Sequence, residues 1–461
     1  MRTPRFAVTG AAIAVLGGLA LPAAAAPHIN IPPKVCDVTQ YGANGQRQQI
    51  QLNTESIQNA IDDCAKAGGG TVRVPAGSYL TAPLFLKSNI RLQLDKNATL
   101  VASSVESGWR ATDATRYAAG DKDWLPFISV TNVSNVAITG EGSIDGQGAV
   151  WWERWRADVR DDAAKRGTTN RPRLIYVHSS RNVLIEGVTI TNSPSFHVVL
   201  RDAEDVDITR THIIAPWHAP NSDAIDPMDS RNVRITYNYI DCNDDHVAIK
   251  AEKPDPKYPD GVVRNIYIAH NTLMQGRGIS IGSETSGGVN GVLVEHNSFN
   301  GSMYGLRIKS PRGKGGMVRN VVYRDTKMVN VGVPLVFSGY YQGAPAKQED
   351  LEKKLAEGGF LVGDQLYPPE TDPAQTFDEV KTPHFSGVTI ENLVSTGNSK
   401  AAGYIIGVPE APLGDFRFRN VKIEADNGLL VRNATVHAEK LKLAIRKGKA
   451  IDAQQNGKIS F

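Results

Sequence analysis

The chain has 461 residues, 41% of them hydrophobic and 7% aromatic, with 43 glycines and a formal charge of +3. With 51 basic side chains against 48 acidic ones there is no broad basic face, so nucleic-acid binding is not expected. Any affinity for a polyanion must come from a local cluster. The length fits one large domain or two or three ordinary ones, and repeat folds grow along one axis without separate cores, so length alone forces no division.

The N-terminus carries Arg2 and Arg5, an apolar run over 11–21 and small residues over 23–26. This is the pattern of an export leader over 1–26, with cleavage placed after Ala25 in preference to Ala26, where Pro27 would follow the cut. The apolar run is too short to cross a bilayer as a helix. A soluble, secreted protein is predicted, extracellular or periplasmic, with no membrane partner. Loss of Arg2 and Arg5 lowers the charge to +1. Of the three cysteines, Cys36 and Cys64 can pair in an oxidising compartment, or all three can stay as buried thiols. Cys242 has no histidine–base spacing around it and is not a candidate nucleophile.

A helix is predicted over 54–67, with Ile57, Ala60, Ile61 and Cys64 on one apolar face, Thr54 as N-cap and Gly68 to Gly70 as the stop. It belongs to an N-terminal cap over about 36–104 and covers strand edges that would otherwise invite aggregation. Beyond it, a polar residue followed by Val or Ile repeatedly opens a run of β-branched residues. Asn135-Val136, Asn182-Val183, Asn232-Val233, Asn265-Ile266, Asn320-Val321 and Asn420-Val421 carry the pattern. Asp205-Val206, Gly291-Val292 and Gly387-Val388 fill the same slot with a changed first residue. From Val183 to Val321 the starts lie 23 to 33 residues apart. Short strands at this period, with no strong helix pattern between them, predict an all-β solenoid: a parallel β-helix with coils ~4.8 Å apart. The recurring asparagines can stack as a ladder or simply tolerate a left-handed turn. The gap from Val321 to Val388, 67 residues, is about twice the usual one; within it the stretch 340–380 contains a polar helical piece over 348–357 and reads as a long loop beside the site or as a surface insertion. The body over 27–461 is expected to be one domain and a monomer.

Four stretches carry the chemistry: Asn221-Ser-Asp-Ala-Ile-Asp226, Asn243-Asp-Asp-His246, Gly276-Arg-Gly-Ile-Ser-Ile-Gly-Ser-Glu284 and Arg307-Ile-Lys309. Asp223, Asp244, Arg277 and Arg307 are spaced 21, 33 and 30 residues apart, close to one coil each. Stacking therefore brings three carboxylates and three cations into one patch. Adjacent Asp244 and Asp245 would face opposite sides of a regular strand, so a bulge is expected there. Alternation puts Arg307 and Lys309 on one strand face. Carboxylates for proton transfer, flanked by cations that can hold a sugar carboxylate, suit hydrolysis of an acidic polysaccharide.

With those motifs, and with Asp37-Val-Thr-Gln-Tyr-Gly42, Gly68-Gly-Gly-Thr-Val72, Gly142-Ser-Ile-Asp-Gly-Gln-Gly148 and Asn192-Ser-Pro-Ser-Phe-His197, nearly the whole mature chain resembles the polygalacturonases of glycoside hydrolase family 28, most of all the bacterial endo-acting branch. The resemblance implies a right-handed parallel β-helix, no metal or other cofactor, and hydrolysis of the α-1,4-galacturonosidic bonds of pectic polysaccharide with inversion. It implies Asp244 as proton donor and Asp223 with Asp245 as the pair that activates water. It gives Arg307 and Lys309 as cations gripping substrate carboxylates, Asn221 as a residue shaping the site, and Tyr341, after Pro334-Leu-Val-Phe337, as a substrate contact. Neighbouring coils place carboxylates nearer the ~5 Å of retaining enzymes than the wider gap of inverting ones, a tension with that stereochemistry.

The chain departs from the family at Ser222, Ala224 and Asn243, each a small change, and at Arg277, where the family has histidine. Arg277 is expected to contact substrate too. A permanent cation favours the ionised carboxylate, which predicts an acid of lowered pKa and a more acidic optimum. His246 and His218 are expected as side chains at the cleft rim. Three other readings stay open: exo-acting cleavage, a calcium-dependent pectate lyase with Arg277 as base, and a non-catalytic polysaccharide binder.

Overall fold

The structure is a computed structural model describing residues 24–46, 52–109, 124–161, 171–342 and 348–461; most of the expected leader lies outside the described residues. Alternating β-branched strands wind into a right-handed parallel β-helix. One face stacks Ile128–Thr131, Ile175–His178, Val198–Arg201, Ile225–Met228, Val247–Ile249, Ile279–Ile281, Tyr304–Lys309 and Val333–Ser338, all paired in parallel. The next face runs from Ser134–Gly140 through Arg181–Glu186, Glu204–Thr209, Arg231–Thr236, Val263–Ala269 and Val289–Glu295 to Met317–Val329. A third, shorter face includes Thr189–Thr191, His212–Ile214 and Tyr239–Asp241.

The repeat positions coincide with the strand register. Val136, Val183, Val206, Val233, Ile266, Val292, Val321 and Val388 are successive cross-strand partners. Their side chains point inward and form a buried column, each contributing about 1.5–3 kcal/mol of burial. Asn420-Val421 breaks the series: Val388 pairs with Phe416, and Val421 pairs with Leu393 on the following stretch. The polar slot satisfies both accounts of it. Asn232 and Asn265 sit at φ 53° and 56°, and Asn265 Nδ2 donates to Asn232 Oδ1 at 2.8 Å while Asn232 Nδ2 donates to Asp205 Oδ1 at 2.9 Å. A second ladder, of buried Asn238, Asn271 and Asn297, lies six residues after the polar slot in three successive repeats.

The helix Thr54–Lys66 buries Ile57, Ala60, Ile61 and Cys64, and Cys64 is disulfide-bonded to Cys36. Asn53, not Thr54, precedes its first turn; Thr54 Oγ1 instead accepts from Ala82 N at 2.7 Å, tying the helix to the coils. Those coils begin with Val35–Asp37 paired in parallel to Gly70–Val74, the latter within the stretch expected as cap. A second helix, Ala149–Asp161, was not predicted; its Trp152 indole donates to Ser193 O at 3.0 Å and pins it beside the cleft. The insertion is built rather than loose. After the helix Gln348–Ala356, Phe360–Val362 and Gln365–Tyr367 form an antiparallel hairpin whose Val362 and Tyr367 pack on Tyr304, Val336 and Ile406.

Candidate active site

The first face of the helix supplies the site. Asp223 lies just before Ile225–Met228 and Asp226 within it. Asp244 and Asp245 occupy a bend between Tyr239–Asp241 and Val247–Ile249, so no strand bulge is needed to aim both inward. Asp245 N donates to Asp244 Oδ1 at 3.0 Å, which fixes the pair relative to each other. Carboxylate oxygens of Asp223, Asp244 and Asp245 all come within 4.8 Å of one another. Ser280 and Arg307 are cross-strand partners, and Lys309 shares the Arg307 face. Lys309 Nζ donates to Asp245 Oδ2 at 2.6 Å, Ser280 Oγ to Asp245 Oδ1 at 2.8 Å, and Arg307 Nη1 stands 3.6 Å from that oxygen.

These neighbours give the carboxyls different proton affinities. Burial alone would push Asp245 up, but Lys309, Arg307 and Ser280 outweigh it and hold it below the usual carboxylate range. Burial and then the Asp244 and Asp226 charges push Asp223 well up, against the pull of Lys250 at 3.5 Å. Burial also raises Asp244, more than Arg277 lowers it. The Arg277 charge thus pulls in the downward direction expected of a cation there, and burial outweighs it. One carboxylate is thus kept ionised beside two carboxyls that hold protons more firmly, a division suited to acid–base work.

Arg277 is partly committed within the protein. Its Nη1 donates to Asp364 Oδ2 at 2.5 Å, while its Nε lies 3.7 Å from Asp244 Oδ1 without a hydrogen bond. Arg307 is almost wholly buried under Tyr304, its guanidinium 4.2 Å from that ring, and two of its nitrogens have no hydrogen-bond partner. Tyr341 joins the cluster, its ring centre 5.0 Å from Lys309 Nζ and 5.7 Å from the Arg307 guanidinium. Asn221, at φ 50°, accepts from Arg171 Nη2 at 2.7 Å through its side-chain oxygen. All eight sequence-derived residues therefore gather on one side of the solenoid.

Three contributors escaped the sequence reading. Lys250 Nζ donates to buried Asp226 at 2.6 Å, Arg171 ties Asn221 to Pro194 and Pro220, and Asp364 arrives from the insertion. The histidines are not at the rim as a pair. His246 is fully buried, its Nδ1 accepting from Gly278 N at 3.2 Å, and burial lowers it to about 4. His218 is exposed, edge-on to Trp152 and Trp217. The three carboxylates could ligate a cation, but Lys250, Lys309, Arg277 and Arg307 already answer their charge. Calcium asks for six to eight oxygens, and among the described residues the carboxylates gathered here are Asp223, Asp244 and Asp245.

Carboxyls of unequal proton affinity in the groove of a parallel β-helix are the build of a glycoside hydrolase. The chain belongs to the glycosyl hydrolases family 28, whose model matches residues 64–355. It is 38% identical over 302 residues to an endo-polygalacturonase of Pectobacterium parmentieri, covering 63% of this chain and 72% of that protein. It is 33% identical over 396 residues to an endo-polygalacturonase of Pectobacterium carotovorum subsp. carotovorum, covering 83% and 87%. The solved polygalacturonase from Erwinia carotovora ssp. carotovora superposes with TM-score 0.68 at 30% identity, over 89% of this chain and 98% of that one.

Proposed function

We propose that the protein is a polygalacturonase that hydrolyses internal α-1,4-galacturonosidic bonds of polygalacturonate, working outside the cell after loss of the 1–26 leader. The observation that carries this reading is the meeting of Asp223, Asp244 and Asp245 beside Lys309 and Arg307. The activity named for the Pectobacterium relatives supports the substrate and the endo mode. Among the described residues no helix is long and apolar enough to cross a membrane.

In this reading Asp244, whose proton affinity is raised, gives its proton to the leaving glycosidic oxygen. Asp245, held ionised, takes the proton of the attacking water, with Asp223 completing the water's hydrogen bonds. The ammonium of Lys309 beside the Tyr341 ring, backed by the Arg307 charge, receives the uronate carboxylate. Asn221 and Arg171 shape the neighbouring wall. Inversion is the outcome the family resemblance implies. The close carboxylate oxygens favour a tight water site rather than the ~6.5–9.5 Å separation usual for inversion, so the anomer must be measured.

The test is polygalacturonate incubated with the protein in a chelator. Reducing ends that appear without ultraviolet absorbance, first as mixed oligomers and later as short ones, fit endo-hydrolysis. Unsaturated products that vanish with chelator would make it a lyase. Monogalacturonate from the first minutes would make it exo-acting.

A further inference from the structure

The Asp364 carboxylate is aimed with unusual completeness for a side chain on an insertion. It sits in the two-residue turn Gly363-Asp364 that joins Phe360–Val362 to Gln365–Tyr367. Tyr304 Oη reaches both Val362 O at 2.9 Å and Asp364 Oδ1 at 3.1 Å, and Gln365 Nε2 donates to the same Oδ1 at 2.9 Å. Gly363 is needed at the tip: its φ is +61°, and a Cβ would fall 2.0 Å from Tyr304 Oη. With Oδ1 held, Oδ2 is left for Arg277 Nη1.

On its other side Arg277 points Nε at Asp244 but stops short of a hydrogen bond, at 3.7 Å. The guanidinium therefore lies between two carboxylates and is bonded to the one on the hairpin. We propose that Asp364 is a positioning residue for the reaction, holding the Arg277 guanidinium off the Asp244 carboxyl. Released from Asp364, Arg277 has only that small gap to close to donate to Asp244. A charge-assisted bond of this kind favours the ionised carboxylate, which has no proton to give to a leaving group.

The charged groups around the pair leave this balance to Asp364. Asp244 also faces Asp223, Asp245, Lys309, Arg307 and Arg171, and Arg277 also faces Asp245 and Tyr341. Asp364 faces Arg307 besides Arg277. Burial raises Asp364, but the two arginines and its hydrogen bonds outweigh that and keep it below the usual carboxylate range, so it stays charged while the acid titrates.

The inference rests on Asp244 being the proton donor, and the experiment separates the two claims. The pH dependence of kcat/KM on polygalacturonate is measured for the parent, Asp364→Asn, Asp364→Glu, Arg277→His and the double variant Asp364→Asn/Arg277→His. In parallel, the Asp244 carboxyl is titrated by 13C NMR in the parent and in Asp364→Asn. In Asp364→Asn the basic limb is expected to move about one pH unit lower, with KM little changed and about tenfold lost above the limb. The Glu variant should restore the parent curve, and the double variant should superpose on Arg277→His. The Asp244 signal should titrate lower in Asp364→Asn than in the parent. An unmoved limb, or a uniform loss at every pH with an unmoved Asp244 titration, overturns the proposal in favour of a purely structural hairpin. A parent without hydrolytic activity overturns the functional reading instead, and the NMR shift still decides the contact between Asp364, Arg277 and Asp244.

Discussion

Lys309 Nζ and Asp245 Oδ2 stand 2.6 Å apart, both nearly buried, although 64 residues of chain separate them. Such a pair keeps its carboxylate ionised down to low pH, and it exists only because three coils stack in register. Removing the ammonium from Lys309→Met leaves Asp245 with Ser280 and the more distant Arg307. Its proton affinity then rises, so the acidic limb of kcat/KM should move to higher pH, by about 1–2 units, with KM for polygalacturonate raised as well. Initial rates between pH 3 and 7 check this; an unmoved acidic limb would remove Asp245 as the base.

Asp244→Asn keeps the shape of the side chain and its acceptor for Asp245 N but cannot supply a proton. The expected loss in kcat is about 10²–10⁴-fold, with affinity for oligogalacturonate retained. Single-turnover rates and calorimetric titration together check it; near-parent kcat would end the acid assignment.

Acid stability should follow two histidines that the reaction does not use. Burial lowers both His197 and His246 to about 4, against an ordinary 6.5. Between these values the unfolded chain binds more protons than the folded one, so stability is full above about pH 6.5 and declines toward pH 4. The loss amounts to at most about 3 kcal/mol per histidine at low pH. The thermal midpoint should therefore fall as pH drops from 6.5 to 4. His246→Gln can still accept from Gly278 N and donate to Gln275 O, and it should flatten that slope. A midpoint equally steep in the variant would assign the decline elsewhere.

The Cys36–Cys64 disulfide closes a loop over 28 positions and clips the N-terminal helix to the first strand. In the chain-entropy account this is worth ~3–4 kcal/mol. Cys36→Ser/Cys64→Ser should melt several degrees lower than the parent while its kcat is unchanged, because the clip is remote from Asp244. A reductant should shift the parent toward the variant, as calorimetry would record.

The sequence made the stacking legible because the Val136-to-Val388 positions recur in one register, and that register places Asp223, Asp245 and Arg307 together. The local backbone was less legible. Adjacent aspartates were read as a bulged strand because alternation was assumed to persist, whereas 242–246 is a bend. Lys250 looked like any strand-end lysine; its value comes from Asp226 on the coil before. Asp364 had no local signal, since its partner Arg277 lies 87 residues away and only the fold of the insertion joins them. The helix Ala149–Asp161 did leave a trace, since Trp151, Trp152 and Trp155 recur at i, i+1 and i+4 on one helical face.

The hairpin over 360–367 is antiparallel, whereas the coils it packs on are parallel. A part that touches the reaction's neighbourhood is thus an appendage to the wound body and not one of its coils. Acidity preference in such solenoids can then drift by exchange of an appendage a few residues long, leaving the wound body and its aligned carboxylates untouched. Grafting this tip onto a relative is a route to retuning its working pH without redesigning its cleft.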